Sequence, residues 1–234
     1  MTAILKRELR AYFLSPLGYV FIAAYYVFAG YFFFQLNLMS NSSDMRGLFS
    51  AMFLVTVFLA PVLTMRLMSE DRKQRTDQIL YMAPVRTMSI VLGKLVAALC
   101  VFLAAMAVLL VMAVVIAART VPEWSVIMGH FIGLFLLGAA LISIGMFIST
   151  LTENQVIAAI GGFSAGVFLI LIDTLAPVVQ NPTLARVVRH MSFQARYHSF
   201  TLGLLSFANV IFFLSITALF TFFTFCAFEK RRFE

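Results

Sequence analysis

RLMSEDRKQRTDQILYMAPVRTMSIVLGK, residues 66–94, is the long charged interruption in an otherwise apolar sequence, and its reading decides the fold. Six of the 17 Lys and Arg residues fall in it (Arg66, Arg72, Lys73, Arg75, Arg86 and Lys94), mixed with Glu70, Asp71 and Asp77. On either side lies an uncharged run long enough to cross a bilayer, so the stretch is a loop between two spans.

Outward from it the chain is membrane. Of its 234 residues 62% are hydrophobic and 12% charged, about half the charged fraction of a soluble domain. The formal net charge of +7 sits in clusters beside apolar runs, where anionic lipid headgroups rather than nucleic acid are the expected counterpart. A hydrocarbon core of about 30 Å needs about 20 helical residues, and six runs meet that length: 17–37, 47–65, 95–118, 124–150, 155–172 and 207–228. None contains Asp, Glu, Lys or Arg. The expected fold is therefore an all-α polytopic membrane domain, residues 1–234, with six transmembrane helices.

Residues 1–16 place Ile4, Leu5, Leu9, Tyr12 and Phe13 on one helical face and Lys6, Arg7, Glu8 and Arg10 on another, the pattern of an interfacial helix. The following run is longer than the apolar part of a signal peptide and no small-x-small site closes it, so residues 1–16 read as an uncleaved lead-in, bent at Ser15-Pro16. Lys6, Arg7, Arg10, the six basic residues of 66–94, and Lys230, Arg231 and Arg232 fall on one side of a six-span topology; Arg46, Arg119, Arg186, Arg189 and Arg196 fall on the other. The positive-inside rule puts the richer side, with both termini, in the cytosol.

Residues 173–206 read as two short amphipathic helices on the outer side, broken near Ser192, either dipping into the membrane or resting on headgroups. Asp173 is the acid at the outer end of the fifth span. Pro61 removes a backbone donor from the second span, with Thr56 or Thr64 available to the carbonyls this frees. Small residues recur four apart at Gly129 and Gly133 and at Gly162 and Gly166; the latter pair is a candidate helix-packing or dimer contact.

Several patterns that suggest chemistry do not support it. Gly162-Phe163-Ser164-Ala165-Gly166 has the spacing of a nucleophile elbow, but that motif needs a strand-to-helix turn which an apolar helix cannot provide. His130, His190 and His198 show no metal-ligand spacing, and Cys100 and Cys226 lie inside apolar runs, so no metal site or disulfide framework is expected. No G-x-x-x-x-G-K-[ST] loop occurs, and no ATPase activity is expected in this chain.

Within 66–94, Thr76 is an N-cap, Asp77 opposes the helix dipole, Ile79, Leu80 and Met82 are apolar, and Pro84 ends the helix at Ala83. Two turns are too short to be stable alone in water, so a partner is expected to hold them. From about Met88 a second helix is expected to run through Gly93-Lys94 into the third span.

Glu70, Arg75-Thr76-Asp77, Leu80, Pro84-Val85 and Gly93-Lys94 resemble the cytosolic signature of ABC exporter permeases of the ABC-2 type, departing from it at Arg75, where glycine is usual, and at Asp77, where glutamate is usual. Arg196-Tyr197, Phe200, Gly203 and Asn209-Val210 further resemble the gliding-motility-type permeases. The resemblance implies a permease subunit in the bacterial cytoplasmic (inner) membrane, paired with a second copy or a related permease and driven by a cytosolic ABC ATPase. It implies no cofactor in this chain, ATP and Mg being held by the ATPase, and it leaves room for a membrane-anchored accessory subunit. It further implies that residues 76–83 form the coupling helix, with Glu70, Thr76, Asp77, Gln78, Leu80 and Tyr81 as its contacts. Two other readings stay open: a stand-alone transporter driven by an ion gradient, and a non-transporting membrane assembly subunit. The substrate is not legible.

Overall fold

In the computed structural model the described residues are 2–74, 87–118, 123–175, 190, 192–201 and 206–232. They form helices with no strand among them: α1 (Thr2–Leu14), α2 (Pro16–Phe33, continued by a π-helical turn Phe34–Leu38), α3 (Arg46–Thr64), α4 (Ser69–Lys73), α5 (Thr87–Ala117), α6 (Trp124–Leu151), α7 (Gln155–Leu175), α8 (Phe193–Thr201) and α9 (Phe207–Arg232). Six helices, α2, α3, α5, α6, α7 and α9, are long and apolar enough to span a membrane. The expected coupling helix at 76–83 and the first outer helix, up to residue 189, lie outside the described residues, as does the side chain of Asp173.

The bundle is built around α6, which packs against α3, α5, α7, α8 and α9. It buries 67% of its apolar stretch, against 17% for α7 and for α9, which places α6 at the centre and the other two at the periphery. The cause is its small residues. A Cβ added at Gly138 would lie 2.1 Å from the Phe102 ring of α5, one at Gly145 would lie 2.2 Å from Thr64 Oγ1 of α3, and one at Gly133 would lie 2.8 Å from Phe200 of α8. Gly138 and Gly145, seven residues apart, share a face. Without a hydrophobic driving force between helices in lipid, close backbone approach of this kind is what holds them together. Gly138→Leu is therefore expected to lower thermal stability by about 3 kcal/mol by overpacking against Phe102. Adding Phe102→Ala should recover part of the loss in a thermal scan of the purified protein; no recovery would show that Gly138 does not act through that ring.

Pro61 sits inside α3, and Thr64 Oγ1 donates to Ala60 O at 3.1 Å and Pro61 O at 3.3 Å, neither of which is the Val57 carbonyl that the proline leaves without its helical donor. Gly162 and Gly166 of α7 face this same region: Cβ atoms there would lie 2.9 Å from Pro61 Cβ and 2.8 Å from Val57 Cγ1. In this structure the pair brings α7 onto α3 within one chain.

Helix α8 is folded into the bundle. Phe193, Tyr197, Phe200 and Thr201 are buried, and Tyr197 Oη donates to Phe49 O of α3 at 3.0 Å. Gly133, which receives Phe200, is nine residues into α6, so α8 reaches about 13 Å below the start of that helix. On α2 and α7, exposed Tyr19, Val27, Val156, Ile160 and Phe168 are the lipid-facing side chains of a membrane bundle.

Candidate functional site

The face that carries α1 and the end of α9 also carries both ends of the 75–86 segment, and there the charged residues of the chain converge. Helix α5 has 31 residues, about 46 Å, against a hydrocarbon core of about 30 Å, so its first turns project beyond the membrane. In that projection Gly93 lets α1 approach, since a Cβ there would meet Ile4 Cγ2 at 3.0 Å. The next residue, Lys94, is only 2% exposed.

A buried ammonium is costly unless it is paired and all its donors are used. Lys94 meets both conditions. Its Nζ donates to Leu67 O at 2.6 Å and lies 2.6 Å from Asp71 Oδ2 and 3.2 Å from Glu8 Oε1. Arg7 reaches the same two oxygens, at 2.6 Å for Glu8 and 3.5 Å for Asp71. Two carboxylates thus share two cations, and α1, α4 and α5 are joined by one balanced cluster. Burial lowers the tendency of Arg7 to hold its proton, but the hydrogen bond and charge of Glu8 and the charge of Asp71 outweigh it and raise its pKa.

Around this centre α4 is tied to the rest of the face. Its N-cap position is Met68, which has no side-chain acceptor, and the orphan N–H groups of Met68 and Ser69 donate instead to Ser149 Oγ of α6, at 3.2 and 3.1 Å. Glu70 and Asp71 stand in its first turn, where the helix dipole favours acids. Arg66 holds both oxygens of Glu70 and donates to Ser15 Oγ at 2.7 Å, linking the start of α4 to the bend between α1 and α2. Hydrogen bonding to Glu70 raises the Arg66 pKa above its ordinary value. Tyr12 Oη donates to Leu63 O at 3.0 Å and burial keeps its hydroxyl protonated, its pKa pushed up. Arg72 donates to Thr150 O at 3.2 Å and pairs with Glu153 at 2.6 Å in the turn between α6 and α7.

Ser149→Ala is expected to cost about 1 kcal/mol, the value of a lost N-cap, and to show as a modest fall in melting temperature. A null result would mean that another acceptor replaces Ser149. Glu153→Gln, at an exposed pair, should change stability by less than about 1 kcal/mol.

Of the residues expected from sequence to contact an ATPase, Glu70 is on α4 with its carboxylate engaged by Arg66, while Thr76, Asp77, Gln78, Leu80 and Tyr81 lie outside the described residues. Gly93-Lys94 belonged to the expected signature, but Glu8, Asp71 and Ser149 were not expected at the site, nor was Lys94 expected to be buried among acids. The available signal was Lys94 itself, a base at the very edge of an uncharged run of 24 residues, which must find acids once the helix packs.

A family model described as ABC-2 family transporter protein matches residues 14–232. Comparison with curated proteins gave no match. The matched range covers every spanning helix and begins at the last residue of α1, so Glu8 and Arg7 come to the cluster from outside it. Match and architecture agree, and the chain belongs to the ABC-2 family of transporter proteins, multi-pass membrane components that work with an ABC ATPase rather than binding the nucleotide themselves.

Proposed function

We propose that this chain is the permease half of an ATP-driven exporter, and that the buried Lys94 cluster is the joint through which force from the ATPase enters the membrane. The observation that carries the reading is that α4 and the first turns of α5, the two ends of the 75–86 segment, are locked to each other and to α1 by Lys94, Asp71 and Glu8. A rigid joint transmits displacement; a loop of solvated charges absorbs it. Motion delivered to residues 76–83 by a partner passes to α5 along its axis, to α1 through Glu8, and to α6 through Ser149. Glu70 acts by holding Arg66 and so α4 in place, and Thr76, Asp77, Gln78, Leu80 and Tyr81 are the contacts offered to the ATPase. The charge bias of the sequence supports an orientation with α1, α4 and the end of α9 in the cytosol of a bacterial cell, the protein sitting in the inner membrane. The working unit is a pair of permeases, identical or related, with ATP and Mg in the ATPase subunits; kinship with the gliding-motility type rests on Arg196, Tyr197, Phe200 and Asn209. An accessory membrane subunit fits that kinship.

The test is purification from the native membrane followed by reconstitution. An ATPase with a P-loop is expected to co-purify, its hydrolysis rate changing when the permease is present. A protein that purifies alone and moves solutes on a proton or sodium gradient without ATP overturns the exporter reading.

A further inference from the structure

On the face opposite the Lys94 cluster, a cavity of about 280 Å³ opens between the turn that precedes α3 and the start of α6. We propose that it binds a primary ammonium group. Glu123, Ile127 and His130 follow one another at i, i+4 and i+7, so all three line the same side of α6. Met45 and Ile127, both buried, give the cup an apolar wall, and His130, with 0% exposure, lines its floor. The His130 ring is stacked on Phe49, centroids 4.7 Å apart, and neither ring nitrogen has a hydrogen-bond partner. A buried polar atom left without a partner costs about 1–3 kcal/mol, and an imidazole in this position carries two.

The rim decides the charge of the ligand. Among the described residues that line it, Asp44 and Glu123 are acidic, and the one base, Arg46, is already paired with Asp44 at 3.7 Å. Glu123 holds the N-cap position of α6 but makes no capping bond with its side chain. Among these described residues acids outnumber bases, and an anion would find no uncommitted cation. An R–NH₃⁺ group has three donors: the carboxylates at the rim accept from it, and an imidazole nitrogen, sealed in this structure, accepts once the His130 ring turns toward the cavity. No group of three His, Cys, Asp or Glu side chains among the described residues is arranged to hold a metal ion, so the geometry favours the organic cation. The ammonium can come from an aminoethyl lipid headgroup at the membrane surface or from a soluble amine. This inference stands apart from the exporter reading.

Trp124, the only tryptophan in the chain, adjoins Glu123 and is exposed, which makes it a built-in reporter. The full chain in nanodiscs of phosphatidylcholine and phosphatidylglycerol is titrated with ethanolamine, and with tetramethylammonium, which has the charge but no N–H. A saturable change in Trp124 emission with ethanolamine alone is expected. His130→Phe keeps a ring on Phe49 and removes both nitrogens; it should weaken the response about tenfold or more. Glu123→Gln, at an exposed position whose side chain makes no capping bond, should weaken it similarly and carries the test should His130→Phe fail to fold. Adding phosphatidylethanolamine to the nanodisc and finding the ethanolamine response suppressed assigns the site to a lipid headgroup; an unsuppressed response assigns it to a soluble amine, and either supports the proposal. Equal responses to tetramethylammonium, unchanged responses in a folded variant, or no response with or without phosphatidylethanolamine would overturn it.

Discussion

Deleting residues 77–80, or changing Tyr81 to Asp, is expected to reduce permease-dependent ATP hydrolysis to the rate of the ATPase alone, while membrane insertion and melting temperature stay as in the parent. The segment holds Asp77, Gln78, Ile79, Leu80 and Tyr81 between Thr76 and Pro84, a sequence that predicts a helix of about two turns, marginal by itself. Apolar residues in so short a helix need a surface to cover them, and a buried aromatic anchor at an interface is worth about 2 kcal/mol or more, roughly 30-fold in affinity. Stability should not follow, because the anchors on either side, Asp71 on α4 and Lys94 on α5, make their bonds within the described part of the chain. Stimulated hydrolysis at the parental rate in either variant would remove the coupling role from this segment.

Lys94→Met should be the most damaging single change on the same face. Removing one partner of a buried ion pair costs about 3–5 kcal/mol, and here the lower end applies, because Arg7 still reaches Glu8 at 2.6 Å and Asp71 at 3.5 Å. The two carboxylates would then face an apolar side chain, and the contact of α1 with α5 at Gly93 and Ile4 would loosen. Amide exchange in α1 should rise, and ATPase coupling should fall even in molecules that remain folded. Glu8→Gln added to Lys94→Met should leave the double variant less destabilised than the sum of the two single effects, a coupling of about 1 kcal/mol or more. Strict additivity would show that Lys94 and Glu8 do not act on each other.

The six spans were legible because their signal is one of length and composition. An uncharged run of 18 or more residues has few alternatives, and the helices found at Arg46–Thr64, Trp124–Leu151 and Phe207–Arg232 begin within a residue of the expected runs. The long start of α5 was legible too, since Pro84 marks the end of the expected loop helix and nothing after Met88 interrupts a new one. Whether 173–206 rests on headgroups or enters the bundle was not. Phe193, Tyr197 and Phe200 give the same periodicity in either case, and the difference lies in Gly133 of another helix, which leaves room for Phe200. The use of Gly162 and Gly166 was equally hidden: the spacing announces a close contact but does not say with which helix, and Pro61 and Val57 of α3 supply the answer.

Sequence by itself determined that this is a six-span membrane bundle with one large charged loop, because hydrocarbon admits only long uncharged helices and leaves charges nowhere else to go. Only the tertiary structure decided that α6 is the centre and that Lys94, Asp71 and Glu8 are one site. Lys94 is 23 and 86 positions along the chain from its partners Asp71 and Glu8, and a lysine at a span's edge carries no mark of which acids will meet it. Pairing of buried charges depends on distances of about 3 Å that packing sets, and packing here brings α1 against α5 at Gly93, where a Cβ would meet Ile4.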